Sequence, residues 1–116
     1  MIHLQKTMST PEVIVDAASF TMTGVCTPEN PPKFFEQFDK KTRELFDSKH
    51  TIEMTFHLDY FNTGSSKCLL NIFRDMAEKK NNIKVNWIYE KGDEEMREAG
   101  ELYAEIAEMQ FDLIEK

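Results

Sequence analysis

The sequence predicts an α/β domain, a small single-domain sandwich in which a mixed β-sheet has helices packed against it. Apolar runs of period two, clearest in TIEMTFHLDY from Thr51 to Tyr60, alternate with segments whose apolar residues recur every three or four positions. From Thr51 to Tyr89 the order is strand, helix, strand without a tight hairpin, which implies a parallel, right-handed crossover. The 116 residues, 41% hydrophobic and 30% charged, suffice for one core without disulfide or metal, so residues 1–116 are expected to be one domain.

From Ile2 to Thr7 the chain reads as a short edge strand, punctuated by Pro11, and Val13 to Val15 begin a second extended segment. Ser19 to Val25 (SFTMTGV) alternates apolar with polar residues, and Ala17-Ala18 form the turn of a hairpin. TPENPP, from Thr27 to Pro32, ends that strand and opens a helix, because prolines at a helix start give up only donors that would be unpaired anyway. Phe34, Phe35, Phe38, Leu45 and Phe46 then recur at helical spacing, giving an amphipathic helix of about four turns whose phenylalanines are core.

In the next strand Ile52, Met54, Phe56, Leu58 and Tyr60 share one face, while Glu53, Thr55, His57 and Asp59 share the other. Leu69, Ile72, Phe73 and Met76 mark a helix that ends near Lys79-Lys80, cations suited to a helix C-terminus. Asn81-Asn82 turn the chain into Ile83 to Tyr89, with Val85, Trp87 and Tyr89 facing the core. Gly92-Asp93 opens a last helix. Asp93 caps it, Glu94 and Glu95 favour its positive end, and Met96, Ala99, Tyr103, Ile106 and Ala107 form its buried stripe. The tail MQFDLIEK adds a strand through Phe111 and Leu113.

A formal net charge of −7, with lysines scattered or paired with acids, argues against a nucleic-acid groove or an anionic membrane surface as partner. Cys26 and Cys68 stand far apart, with no CxxC and no histidine at zinc-ligand spacing. They read as two reduced, unbridged thiols, and neither metal nor cofactor is expected. The start MIHLQKTMSTPEV lacks an apolar signal region, and no stretch approaches membrane-spanning length, so the expected compartment is the cytoplasm.

The chemistry gathers at DYFNTGSSK, residues 59–67, where the central strand gives way to a helix. In parallel α/β units the carboxyl end of a strand is where ligands and reactive groups sit, and the helix start favours negative charge. Thr63, Ser65 and Ser66 place three hydroxyls there, which admit three readings. They can be a capping cluster in a passive scaffold, with Gly64 relaxing the turn. Thr63 or Ser65 can be the nucleophile of a small hydrolase or transferase, which requires a base. His57 is the nearest histidine, roughly 20 Å away along an extended strand, and no GxSxG elbow or P-loop spacing is present. Or a hydroxyl can be a phosphoacceptor, its phosphate tolerated by the fold beside free backbone donors, although Asp59 would repel it if close. Residue chemistry alone leaves capping and phosphorylation open.

The order PEVIVD, TPEN before an aromatic helix, LDYFNTGSSKCLL and VNWIYEKGDEEMREAGE resembles the SiaC family of bacterial regulatory phosphoproteins, from about Pro11 to the C-terminus. The resemblance implies a fold like that of anti-sigma-factor antagonists, the STAS-like α/β sandwich. It implies a non-enzymatic signalling adaptor that works by partner switching. A partner kinase phosphorylates one threonine, a PP2C-type phosphatase releases the phosphate, and the unmodified form activates a diguanylate cyclase in cyclic di-GMP and biofilm regulation. Carried onto this chain, the phosphoacceptor is Thr63, with Asn62, Gly64, Ser65, Ser66 and Lys67 as its motif neighbours. Gly64 departs from the pattern, where serine is common, and is expected to loosen the turn. Asp59, Asp93, Glu94 and Glu95 read either as capping and solvation or as a partner-binding face near the switch.

Overall fold

A computed structural model describes residues 1–79 and 82–116. Its strands are β1 (Ile2–Leu4), β2 (Glu12–Val15), β3 (Ser19–Cys26), β4 (Ile52–Phe61), β5 (Ile83–Tyr89) and β6 (Asp112–Glu115). Its helices are α1 (Pro31–Phe46), α2 (Thr63–Lys79) and α3 (Glu94–Ile106). Each expected element is therefore present. Lys80 and Asn81, assigned above to a helix end and a turn, lie outside the described residues.

The strands lie side by side in chain order. β1, β2 and β3 pair antiparallel, and β3, β4, β5 and β6 pair parallel, so the sheet is mixed as expected. Three successive crossovers of one hand into adjacent positions must leave their helices on one face, and α2 indeed touches both α1 and α3. The result is two layers, in agreement with the STAS-like expectation.

Between the layers lies an aromatic core. Phe20 packs on Phe56 with ring centroids 5.3 Å apart, Phe56 on Trp87 at 5.6 Å, and Phe73 on Tyr103 at 4.9 Å. Trp87 and Tyr89 are buried, as their alternation requires, and the Trp87 indole N–H donates to the Met96 carbonyl at 2.9 Å, tying α3 to β5. Gly100 is also buried. A Cβ there would run into the Trp87 indole, so this glycine serves close approach.

One expected face assignment fails. Gly24 pairs with Leu58 and Val25 pairs with Tyr60, which leaves Asp59 without a partner on β3. This bulge reverses the alternation beyond it. Tyr60 therefore turns out to solvent, 61% exposed, and Phe61 takes its place on the helix side, 6.3 Å from the Tyr103 ring. Smaller adjustments follow elsewhere. Phe111 is buried just ahead of β6 rather than in it, and Ala99 and Ile106 are half-buried on the flanks of the α3 stripe.

Candidate functional site

The junction of β4 with α2 shares out its polar groups one by one. Asn62 is the cap: its side-chain oxygen accepts from the Ser65 backbone N–H at 2.9 Å, and its carbonyl accepts from the Ser66 N–H at 2.9 Å. The same side chain donates to the Pro28 carbonyl at 3.1 Å, and the Asn62 N–H donates to the Cys26 carbonyl at 3.1 Å. Asn62 thus fastens the start of α2 to the end of β3. The hydroxyls are left free for other roles.

Ser65 points into the core, fully buried, and its oxygen accepts from the Cys26 thiol at 3.4 Å. Burial pushes that thiol up to about 11, with the Ser65 contact working the other way. Ser66 is half-buried and meets the Tyr103 hydroxyl at 2.7 Å, while that hydroxyl also reaches the Ser66 carbonyl at 3.2 Å. Burial raises the Tyr103 pKa, so the phenol stays protonated and able to donate.

Thr63 is different. It is the first residue of α2, exposed, and its side chain makes no hydrogen bond among the described residues. Lys67, one turn along the same helix face, is exposed and has no ion pair among the described residues. The three hydroxyls thus have three environments, and only that of Thr63 is exposed.

Gly64 does not loosen a turn. It lies within α2 and is not among the residues of positive φ; a Cβ on it would stand 2.7 Å from Cγ of Pro31. The glycine lets the start of α2 approach the start of α1. Its role is proximity, which corrects the expectation drawn from the motif.

The acidic residues separate as well. Asp59, Asp93 and Glu95, with Tyr60, Phe61 and Met96, line a cavity of about 250 Å³ beside the junction. Asp93 caps α3 by accepting from the Met96 N–H at 3.1 Å. Glu94 turns away to Arg97 at 2.7 Å, and Arg97 also holds Glu101 at 3.0 Å. The sequence places the three consecutive acids together; the helix separates Glu94 from the other two.

His57 stands apart from this site. On β4 its ring pairs with Glu90 at 2.9 Å. Ser65, buried against a thiol, is closed to a substrate. Among the described residues no group of three or more His, Cys, Asp or Glu side chains is placed to hold a metal ion. Both thiols are free: Cys26 ends β3 in the core, and Cys68 is half-buried in the second turn of α2. No described helix is long and apolar enough to cross a membrane. Tyr60 and Tyr103 are contributors that the sequence pattern did not single out for the site. Alternation places the first in the core, and nothing local to the second signals a bond to residue 66.

The chain is similar to known proteins in sequence and in fold. A family model described as SiaC family regulatory phosphoprotein matches residues 4–116. The chain is 30% identical over 117 aligned residues to an uncharacterized protein of Pseudomonas aeruginosa (strain UCBPP-PA14), covering 95% of this chain and 92% of the relative. Its fold is similar to a chain in the crystal structure of the diguanylate cyclase SiaD in complex with its activator SiaC from Pseudomonas aeruginosa. That match has a TM-score of 0.92 at 24% identity and covers 100% of both chains. The crystal structure of apo-SiaC from the same organism matches with a TM-score of 0.85, again at 24% identity, over 97% of each chain. At that identity these structures bear on the fold alone.

Proposed function

The chain belongs to the SiaC family of regulatory phosphoproteins, and from that premise we propose that it is a phosphoswitch whose acceptor is Thr63. A kinase transfers phosphate to the Thr63 hydroxyl, a PP2C-type phosphatase removes it, and the two forms differ in affinity for an effector. The carrying observation is that Thr63 alone of the three junction hydroxyls is exposed and unbonded among the described residues, while Asn62 does the capping. A kinase can reach this oxygen without disturbing the fold. Its phosphate arrives at a helix start, where Asn62 already holds the Ser65 and Ser66 N–H groups and the field favours an anion.

The effector is a diguanylate cyclase, by analogy with the complex of SiaD with SiaC, and the setting is the cytoplasm. An interface fitted to a neutral hydroxyl must desolvate about −1.5 to −2 charges once the phosphate is added, so binding weakens. The unmodified chain is therefore the activating form.

Mass spectrometry of the protein from its own cells tests the modification, with phosphate expected on Thr63 within residues 60–67. Calorimetry against the organism's cyclase tests the output. Unmodified protein and Thr63→Ala should bind alike, and the phosphorylated protein at least about tenfold more weakly, a loss of about 1.4 kcal/mol. Equal affinity of the modified and unmodified forms would remove Thr63 from the switch.

A further inference from the structure

We infer that the cavity between the end of β4 and the start of α3 receives an arginine side chain of the protein effector, stacked on Tyr60 and held by Asp59, Asp93 and Glu95. This rests on the reading that the chain has an effector, and adds the chemistry by which one is held.

The bulge is the first support. Regular alternation would bury Tyr60; the unpaired Asp59 instead turns the ring outward, where it is 61% exposed. Bulges re-aim side chains in this way, and an exposed tyrosine beside a concavity is the usual anchor of a protein interface. Among the described residues Tyr60 is the one aromatic side chain so exposed.

The cavity supplies the second. At about 250 Å³ it falls below the range of small-molecule sites but takes one side chain. Phe61 and Met96 offer apolar contact for an aliphatic stem, and three acidic residues share the lining. None of the three has an ion pair among the described residues, whereas Arg97, the nearby cation of α3, is occupied by Glu94 and Glu101. Asp93 also caps α3, and the chain as a whole carries a net charge of −7.

Charge complementarity then selects the occupant. A phosphate is repelled, and an apolar side chain would leave carboxylates dehydrated without a partner. An ammonium fits the charge but offers no plane to the ring. A guanidinium stacks on tyrosine and bonds carboxylates in pairs, so it satisfies both walls at once. Its charge is neutralised inside the cavity. It is therefore not the group that would meet a phosphate on Thr63, two residues beyond Phe61, and anchor and switch are separate contacts on one surface.

The test titrates Nα-acetyl-arginine methylamide into the full-length, unmodified, isotope-labelled chain and follows backbone amide shifts. Saturable shifts are expected at residues 59–61 and 93–96, with weaker binding by the lysine analogue and none by the neutral citrulline analogue. Tyr60→Ala should weaken arginine binding about threefold, the size of one exposed cation–π contact. The pair Asp59→Asn and Glu95→Gln should weaken it about tenfold. Equal response to citrulline, shifts that spread without saturating, or indifference to Tyr60→Ala would overturn the assignment. An arginine site that persists when Thr63 proves unphosphorylated removes the switch alone. A working switch with no arginine site removes the anchor alone.

Discussion

The Cys26 thiol donates to the Ser65 hydroxyl across 3.4 Å, in a part of the core where neither side chain meets solvent. Residues 63 and 65 lie about 200° apart around a helix, so a Ser65 aimed into the core turns Thr63 outward. The inward hydroxyl belongs to the fold and the outward one to whatever approaches.

Substitutions at the junction should separate these roles. Thr63→Ala removes no hydrogen bond and should change stability by no more than about 0.5 kcal/mol. Asn62→Ala removes the cap and the tie to the Pro28 carbonyl, and should cost about 1–2 kcal/mol. Ser65→Asp buries an unpaired carboxylate and should cost on the order of 3–5 kcal/mol. Urea unfolding of the three variants gives the order; a Thr63→Ala loss as large as that of Asn62→Ala would make Thr63 structural.

Two glycines should resist the smallest enlargement, although alanine is the better helix former. At Gly64 the obstacle is the Pro31 ring, whose Cγ would stand 2.7 Å away and can shift, so Gly64→Ala or Gly64→Ser should cost about 1 kcal/mol. At Gly100 the obstacle is the Trp87 indole, pinned by its bond to the Met96 carbonyl, and Gly100→Ala should cost about 2–3 kcal/mol. A stabilised Gly64→Ala protein would show that helix propensity outweighs the contact and that the glycine was there for flexibility.

Alkaline pH should expose the burial of Cys26. Its thiol ionises near 11 in the fold against an ordinary value of 9.0, so the native state keeps its proton to higher pH than the unfolded chain does. The associated stability is fully present below the unfolded pKa and is lost as pH rises through the folded one. Two units correspond to at most about 2–3 kcal/mol. The measurement is the stability difference between wild type and Cys26→Ala, in which other titrations cancel, from about pH 8 to about pH 11. A difference that stays flat would mean that the thiol is not desolvated.

The fold was legible because its signals are local. Alternation in β4 and β5, helical spacing from Phe34 to Phe46, and the Asp93 cap each act within one element, and each stands where its pattern put it. The site was legible as a place and not as an arrangement. That Ser65 meets Cys26, Ser66 meets Tyr103 and Gly64 meets Pro31 depends on contacts 33 to 39 positions apart in the chain. No period within a strand or helix encodes them. Tyr60 misled for a related reason: a bulge is visible only in the pairing of two strands.

The last expectation concerns what a phosphate on Thr63 does to the fold itself. At the first position of α2 the added charge meets the positive end of the helix, an interaction of about 0.3–1 kcal/mol on an exposed surface. Lys67, one turn on, can add an ion pair of about 0.3–0.5 kcal/mol. Asp59 and its neighbours oppose both at longer range, where salt screens them. The phosphorylated protein should therefore unfold cooperatively, at a stability equal to the unmodified form or up to about 1 kcal/mol above it at low salt. The gain should shrink in about 1 M salt, and it should fall below about pH 6, where the phosphate takes up its second proton. Lys67→Ala should remove the ion-pair share and leave the helix share. Paired thermal melts of modified and unmodified protein, with and without salt, decide the matter. If phosphorylation instead lowers stability or broadens the transition, the modification acts by loosening the start of α2, and the switch is conformational rather than a change of surface charge.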